Sequence, residues 1–182
     1  MAGVVAKTYG HALFSLALEE NSVKELSEEA DTVLEVLKDN PELFGFYGNP
    51  QISSEEKAAF TENCFKGRVS DHMTGFLLSV SANGRVKELP AILKEFRSEV
   101  REYYRIGVAY ITTPSELGEG LKQQLLKRLL ETTRYESFEL YYTVDASLIG
   151  GIRIRIGDRV VDSSIETELH RMTKNLLMTQ IG

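Results

Sequence analysis

Only one cysteine, three histidines, four prolines and no tryptophan occur in 182 residues. A lone Cys64 excludes a disulfide framework within the chain and any cysteine-rich zinc site. His11, His72 and His170 are scattered, which points away from a metal centre. No apolar run approaches the roughly 18 residues that a membrane-spanning helix needs. Low-complexity stretches and dense charge blocks are missing, so a disordered tail is not expected. Basic clusters are missing too. The chain carries 21 basic and 27 acidic side chains, net −6, which argues against nucleic acid as the main partner. Residues 1–105 hold 12 basic and 17 acidic groups, net −5, and residues 106–182 hold 9 and 10, net −1. The acidic first half is also a poor match for an anionic membrane surface. Neither G-x-x-x-x-G-K-[ST] nor G-x-G-x-x-G occurs, so phosphate-cradling loops of those kinds are excluded. The start, Met1 to Lys7, has no basic segment leading into an apolar one and no Arg/Ser-rich leader. It predicts a cytosolic chain, or one already trimmed.

What is present changes period once. Residues 4–104 read as successive helices. Val5, Tyr9, Leu13, Leu16 and Ala17 form the first apolar stripe. Ser22 followed by Glu25 has the spacing of a capping box and opens a second helix, with Val23, Leu26, Ala30, Val33, Leu34 and Leu37 on one side. Asn40-Pro41 stops it, because proline disfavours a helical residue before it. A short helix follows to about Tyr47. Ser53 with Glu56 caps a fourth, Ser70 to Ala82 is a strongly apolar fifth, and Val86 to Arg105 is a long sixth.

From Gly107 the pattern alternates. Val108 to Thr113 is rich in strand formers and is closed by Pro114. Leu117, Leu121, Leu125, Leu126, Leu129 and Leu130 predict an amphipathic helix. Phe138, Leu140, Tyr142 and Val144 alternate with Glu139, Tyr141 and Thr143, and Ile152, Ile154 and Ile156 alternate with Arg153 and Arg155, which predicts two strands with one buried face. Gly157-Asp158 fits a tight turn into Val160-Val161, and Ser163 with Glu166 opens a last helix striped by Ile165, Leu169, Met172 and Leu176. The fold class is α+β: an amino-terminal six-helix bundle over residues 1–105, then a small α/β domain of order β-α-β-β-β-α over 106–182.

Catalytic constellations are thin. Cys64 lies near Asp71 and His72 in sequence, but a thiolate would need its base in reach across two helices, and a buried structural cysteine is the simpler reading. Asp158, Asp162, Ser163, Ser164 and His170 contain the letters of a triad, yet Asp158 fits the turn and Ser163 the cap. Gly150-Gly151 precedes a strand rather than a helix, so the pair predicts a bulge or a close backbone approach, not a phosphate site. Arg153, Arg155 and Arg159 form either a solvated face or a docking surface for an acidic helix. The first and fifth helices are apolar around much of their circumference. Such helices are central in a bundle, or they lend a surface to a partner helix.

The run Val144-Asp145-Ala146-Ser147-Leu148-Ile149-Gly150-Gly151-Ile152-Arg153-Ile154-Arg155-Ile156-Gly157-Asp158 resembles V-D-x-x-L-I-G-G-x-x-I-x-I-G-D of the delta subunits of F-type ATP synthases, relatives of the mitochondrial oligomycin-sensitivity-conferring protein. Val161-Asp162-Ser163-Ser164-Ile165 continues it. Ala6 to Ala17 is similar to the family's opening A-x-x-Y-A-x-A-L-F-x-x-A, with Gly10 in place of the usual alanine. Asn40-Pro41, Asn49-Pro50 with Lys57, Phe76-Leu77, Asn83-Gly84-Arg85 and Leu89-Pro90 keep the family order, while Thr113 stands where alanine is common.

The resemblance implies a peripheral-stalk subunit with no active site, cofactor, metal or small-molecule ligand. Its bundle would bind helices from the amino ends of alpha subunits, and its second domain would hold the b subunits. It would sit on the cytoplasmic face of a bacterial membrane without inserting. Resemblance implies a head-binding groove between the first and fifth helices. Tyr9, Leu13, Phe76 and Val80 are the candidate contacts, and Asp145, Gly150, Gly151, Gly157 and Asp158 are expected to be structural. The alternative from another class is a helical adaptor unrelated to energy coupling.

Overall fold

The structure is a computed structural model that describes residues 2–162. The chain divides into two units, Met1–Glu102 and Tyr103–Gly182. In the first lie α1 (Ala2–Glu19), α2 (Val23–Asp39), α3 (Glu42–Gly48), α4 (Ser54–Phe65), α5 (Asp71–Ala82), a 3-10 turn at Val86–Glu88 and α6 (Leu89–Tyr103). The helix predicted from Ser163, with Ile165, Leu169, Met172 and Leu176, falls outside the described residues, and so does His170.

Local chemistry accounts for most helix ends. The Ser53 hydroxyl accepts from the Glu56 amide at 3.1 Å, and the Glu56 carboxylate accepts from the Ser53 amide at 3.0 Å, a complete capping box at the start of α4. The expected box at Ser22 does not form. Asn21 takes a left-handed φ of 52°, and the amides of Asn21 and Ser22 donate back to the carbonyls of Leu18 and Ala17. This is the six-to-one closure that ends α1. Ser22 is therefore committed to terminating one helix and lacks the extended backbone that a cap requires, and its hydroxyl is buried without a partner.

At α5 the cap is reinforced from a distance. The Ser70 hydroxyl accepts from the Met73 amide, while Glu29 of α2 accepts from both the Ser70 amide, at 2.6 Å, and its hydroxyl, at 2.8 Å. The carboxylate thus meets the positive end of α5.

The core of this unit is built around Phe96, Leu13, Leu26, Met73, Ile92 and Leu93, all fully buried. Its tightest approach is at Gly10. A Cβ there would lie 2.9 Å from the Glu95 Cβ, 3.0 Å from the Phe96 amide nitrogen and 3.1 Å from the Ile92 carbonyl oxygen, so α1 rests against the backbone of α6.

The second unit contains β1 (Ile106–Thr113), α7 (Glu119–Thr132), β2 (Ser137–Val144), β3 (Arg153–Ile156) and β4 (Arg159–Asp162). The sheet order is β2-β1-β3-β4. β1 and β2 are parallel, joined through α7; β3 is antiparallel to β1, and β4 to β3. Register sorts the side chains onto two faces. Ala109 and Ile111 of β1 align with Leu140 and Tyr142, and with Ile156 and Ile154, on the face that packs with Leu129 of α7. The other face carries one transverse row, Tyr141–Tyr110–Arg155–Val160. In it the two tyrosine rings stack at 5.3 Å and the Arg155 guanidinium lies 4.7 Å from the Tyr110 ring centre. The expected burial of β2 holds only in part. Phe138 and Leu140 pack on the α7 cluster, whereas Tyr142 and Val144 are exposed.

Removing the ring at the centre of the helical core, Phe96→Ala, is expected to cost about 3–5 kcal/mol in urea unfolding, the range for a buried aromatic truncated to alanine. Gly10→Leu is expected to cost about 1–3 kcal/mol by the same measurement, because the new side chain would press on the Glu95 Cβ and the α6 backbone, neither of which can swing aside.

Candidate functional site

α2 packs against both α1 and α5. Two observations show which flanks of those helices border the space between them. The His72 Nε2 on α5 lies 3.8 Å from the Glu20 carboxylate just past α1. Residues four apart share a helix flank, so Phe76 lies on the His72 side of α5, and Leu16 lies on the Glu20 side of α1 with Tyr9 seven residues before it. Tyr9, Leu16 and Phe76 are all half-buried and pack against the core while keeping an exposed edge. On the remaining flank of α1, Val4, His11 and Leu18 recur every seven residues. His11 Nδ1 meets Glu99 of α6 at 3.0 Å there, which turns that stripe away from α5.

Burial corrects two candidate contacts. Leu13 and Val80 have 0% exposure and hold the bundle together from inside, so they have no surface to offer a partner. Tyr9 and Phe76 are half-buried on the flanks that Glu20 and His72 mark. Leu16 was not singled out, although its place on the first apolar stripe, one turn before Glu20, is the signal that finds it.

Cys64 and His72 are not brought together. His72 faces Glu20, whereas Cys64 is half-buried along an apolar cavity of about 280 Å³ that Phe60, Tyr47 and Ser81 also line. The Tyr47 hydroxyl pairs with Thr61 Oγ1 at 2.7 Å, and burial raises its pKa. Among the described residues, no group of three or more His, Cys, Asp or Glu could hold a metal ion, and no helix is long and apolar enough to cross a membrane.

In the second unit, Asp145 Oδ1 accepts from the Ser147 hydroxyl at 2.6 Å and the Ser147 amide at 3.0 Å. The Asp145 amide donates to the Thr113 carbonyl at 2.8 Å, so this one residue ties the end of β1 to the loop after β2. These hydrogen bonds favour the charged carboxylate and hold its pKa below the ordinary value. Gly150 and Gly151 have φ of 145° and 86°. They are loop residues ahead of β3, not a bulge within a strand, and a side chain at either would be strained. Gly157, at φ 55°, and Asp158 make the two-residue connection between β3 and β4, as in a turn with glycine at its first central position.

The family model of the ATP synthase delta (OSCP) subunit matches residues 5–176. The chain is 50% identical over 182 residues to ATP synthase subunit delta of Lachnoclostridium phytofermentans, covering 100% of both chains. It is 32% identical to ATP synthase subunit delta of Bacillus cytotoxicus, covering 96% of each. The fold is shared with a chain in the mitochondrial ATP synthase hexamer of Toxoplasma gondii, with a TM-score of 0.72, 20% identity, and coverage of 94% of this chain and 97% of that one.

The low pKa of Asp145 sets the sign of a pH effect. A carboxyl group held low in the folded chain stabilises it above the unfolded pKa, and loses that contribution as pH falls through the folded value. Asp145→Ala is expected to lower the melting temperature at neutral pH, and the gap to the unaltered chain should close as the carboxyl protonates in acid. A gap that persists unchanged in acid would show that the charge is not its source.

Proposed function

The chain belongs to the ATP synthase delta (OSCP) subunit family, and on that premise we propose how its two units divide the work of a stator. As a member it is a non-catalytic component of the peripheral stalk, which removes the unrelated-adaptor alternative. The six-helix bundle of residues 1–105 binds amino-terminal helices of alpha subunits at the catalytic head. Residues 106–182 hold the b subunits that rise from a bacterial cell membrane, and the protein sits peripherally on its cytoplasmic face.

One observation carries the head contact: His72 of α5 lies 3.8 Å from Glu20 just past α1, and Tyr9, Leu16 and Phe76 keep exposed edges on those flanks, which would border a furrow for a partner helix. A stator resists torque, so its joints must open slowly. Apolar side chains seated in a groove serve this better than exposed ion pairs, which salt screens. An incoming amphipathic helix would lay its apolar stripe along the furrow. Binding therefore needs no bond making, and the chemistry of the complex stays with its other subunits.

The test is titration of an alpha-subunit amino-terminal peptide against the full chain, followed by calorimetry and by the helical signal the peptide gains. Saturable binding is expected. Phe76→Asp should weaken it by about a hundredfold, as for a central apolar anchor made charged, while the bundle stays folded. Binding that survives Phe76→Asp would move the contact away from this furrow, and absence of saturable binding by the unaltered chain would remove the head-binding role.

A further inference from the structure

The first unit contains a cavity of about 280 Å³, with walls from α2, α3, α4, α5 and the 3-10 turn. Every lining residue belongs to that unit, and none of Tyr9, Leu16 and Phe76 is among them, so the cavity is separate from the proposed head contact. Val36, Leu43, Phe60, Leu77 and Val86 make it apolar, and Cys64 stands half-buried in its wall. Helical cores seldom leave a void this large. An apolar cavity of about 150 Å³ is already enough to take up benzene, so nearly twice that volume suits a molecule of two fused rings.

The polar groups of the wall say what else the occupant carries. The Thr61 hydroxyl donates to the Lys57 carbonyl at 2.8 Å, so the proton in its 2.7 Å contact with Tyr47 comes from the tyrosine. Both hydroxyls are thereby engaged. Ser81 on α5 is different. A serine inside a helix can return its hydroxyl to the carbonyl one turn back, as Thr74 does to Ser70 at 2.9 Å on the same helix. Ser81 is only 6% exposed and lines the cavity, yet its Oγ has no hydrogen-bond partner among the described residues. No carboxylate lines the cavity, and its one charged residue, Arg68, is exposed to solvent. A charge carried inside would lose its hydration and find no buried counter-ion.

We propose that the cavity is a binding site for a small, uncharged aromatic alcohol of about two fused rings, whose hydroxyl pairs with Ser81 Oγ. The rings take the apolar walls. Both hydroxyls can donate and accept, so the pair forms whichever oxygen supplies the proton. The occupant removes two defects at once, since a void and an orphan hydroxyl each weaken an empty core.

The experiment uses the full chain with 2-naphthol as probe, beside naphthalene and 2-naphthoate. Calorimetry should show saturable binding of 2-naphthol, roughly three- to tenfold tighter than naphthalene, the range for one net hydrogen bond. The melting temperature should rise with 2-naphthol concentration. 2-Naphthoate should bind more weakly than 2-naphthol. The single thiol locates the site: bound 2-naphthol should slow alkylation of Cys64 by iodoacetamide. Ser81→Ala should bring 2-naphthol down to the affinity of naphthalene and leave naphthalene unchanged, a split that a merely structural serine would not give. Circular dichroism establishes that the variant is folded.

Absence of saturable binding would leave the cavity to water and overturn the proposal. Binding without protection of Cys64 would place the probe elsewhere and overturn it too. A preference for 2-naphthol that persists in Ser81→Ala would remove the assigned hydrogen bond. Tightest binding by 2-naphthoate, lost in Arg68→Gln, would make the cavity an anion site and overturn the uncharged ligand.

Discussion

A glycine without a Cβ, pressed against the next helix, governs how the first unit presents itself. Ala6, Gly10, Leu13 and Ala17 make the buried stripe of α1, and three of the four are small. At Gly10 the backbone of α6 comes so near that a methyl group would already crowd it. With the buried stripe so thin, the bulky Tyr9 and Leu16 have no room in the centre and ride on a flank. They are packed on one side and wet on the other. That half-buried state allows a side chain to serve the fold and still have surface left for a partner.

The same economy operates in the second unit at the level of a layer. A parallel pair needs a crossover, and α7 supplies it, lying over β2. One helix cannot cover four strands. In the hairpin β3–β4, Ile154 and Ile156 pack toward α7 while Val161 stays exposed, and the other face turns Arg155 onto the tyrosine stack of β1 and β2. The Gly150-Gly151 and Gly157-Asp158 segments act at the ends of β3. Positive φ values there let the chain reverse without side-chain strain, and Asp145 holds the loop by accepting twice from Ser147 and ties it to β1 by donating its amide to Thr113.

Particular residues mark where a one-dimensional reading stopped. Ser53 caps as its spacing predicts, because a cap is completed by residues within one turn. Ser22 has the same spacing and does not cap, because the preceding helix had already claimed its backbone amide. Glu29 reads as one more acid on a solvated face, yet it secures a helix 41 residues away. Leu13 and Leu16 are the same residue type on one helix, and only three-dimensional packing separates the buried one from the half-buried one.

Periodicity, punctuation and the glycine-centred run were enough to establish helices followed by a small α/β unit, the tight turn at Gly157, and the family resemblance. Each depends on residues close in sequence, whose spacing limits the backbone directly. The order of strands in the sheet and the division of apolar residues between core and half-exposed flanks were decided by the folded chain. Those features arise when distant segments compete for the same limited buried space, and a string of residues carries no coordinate for that contest.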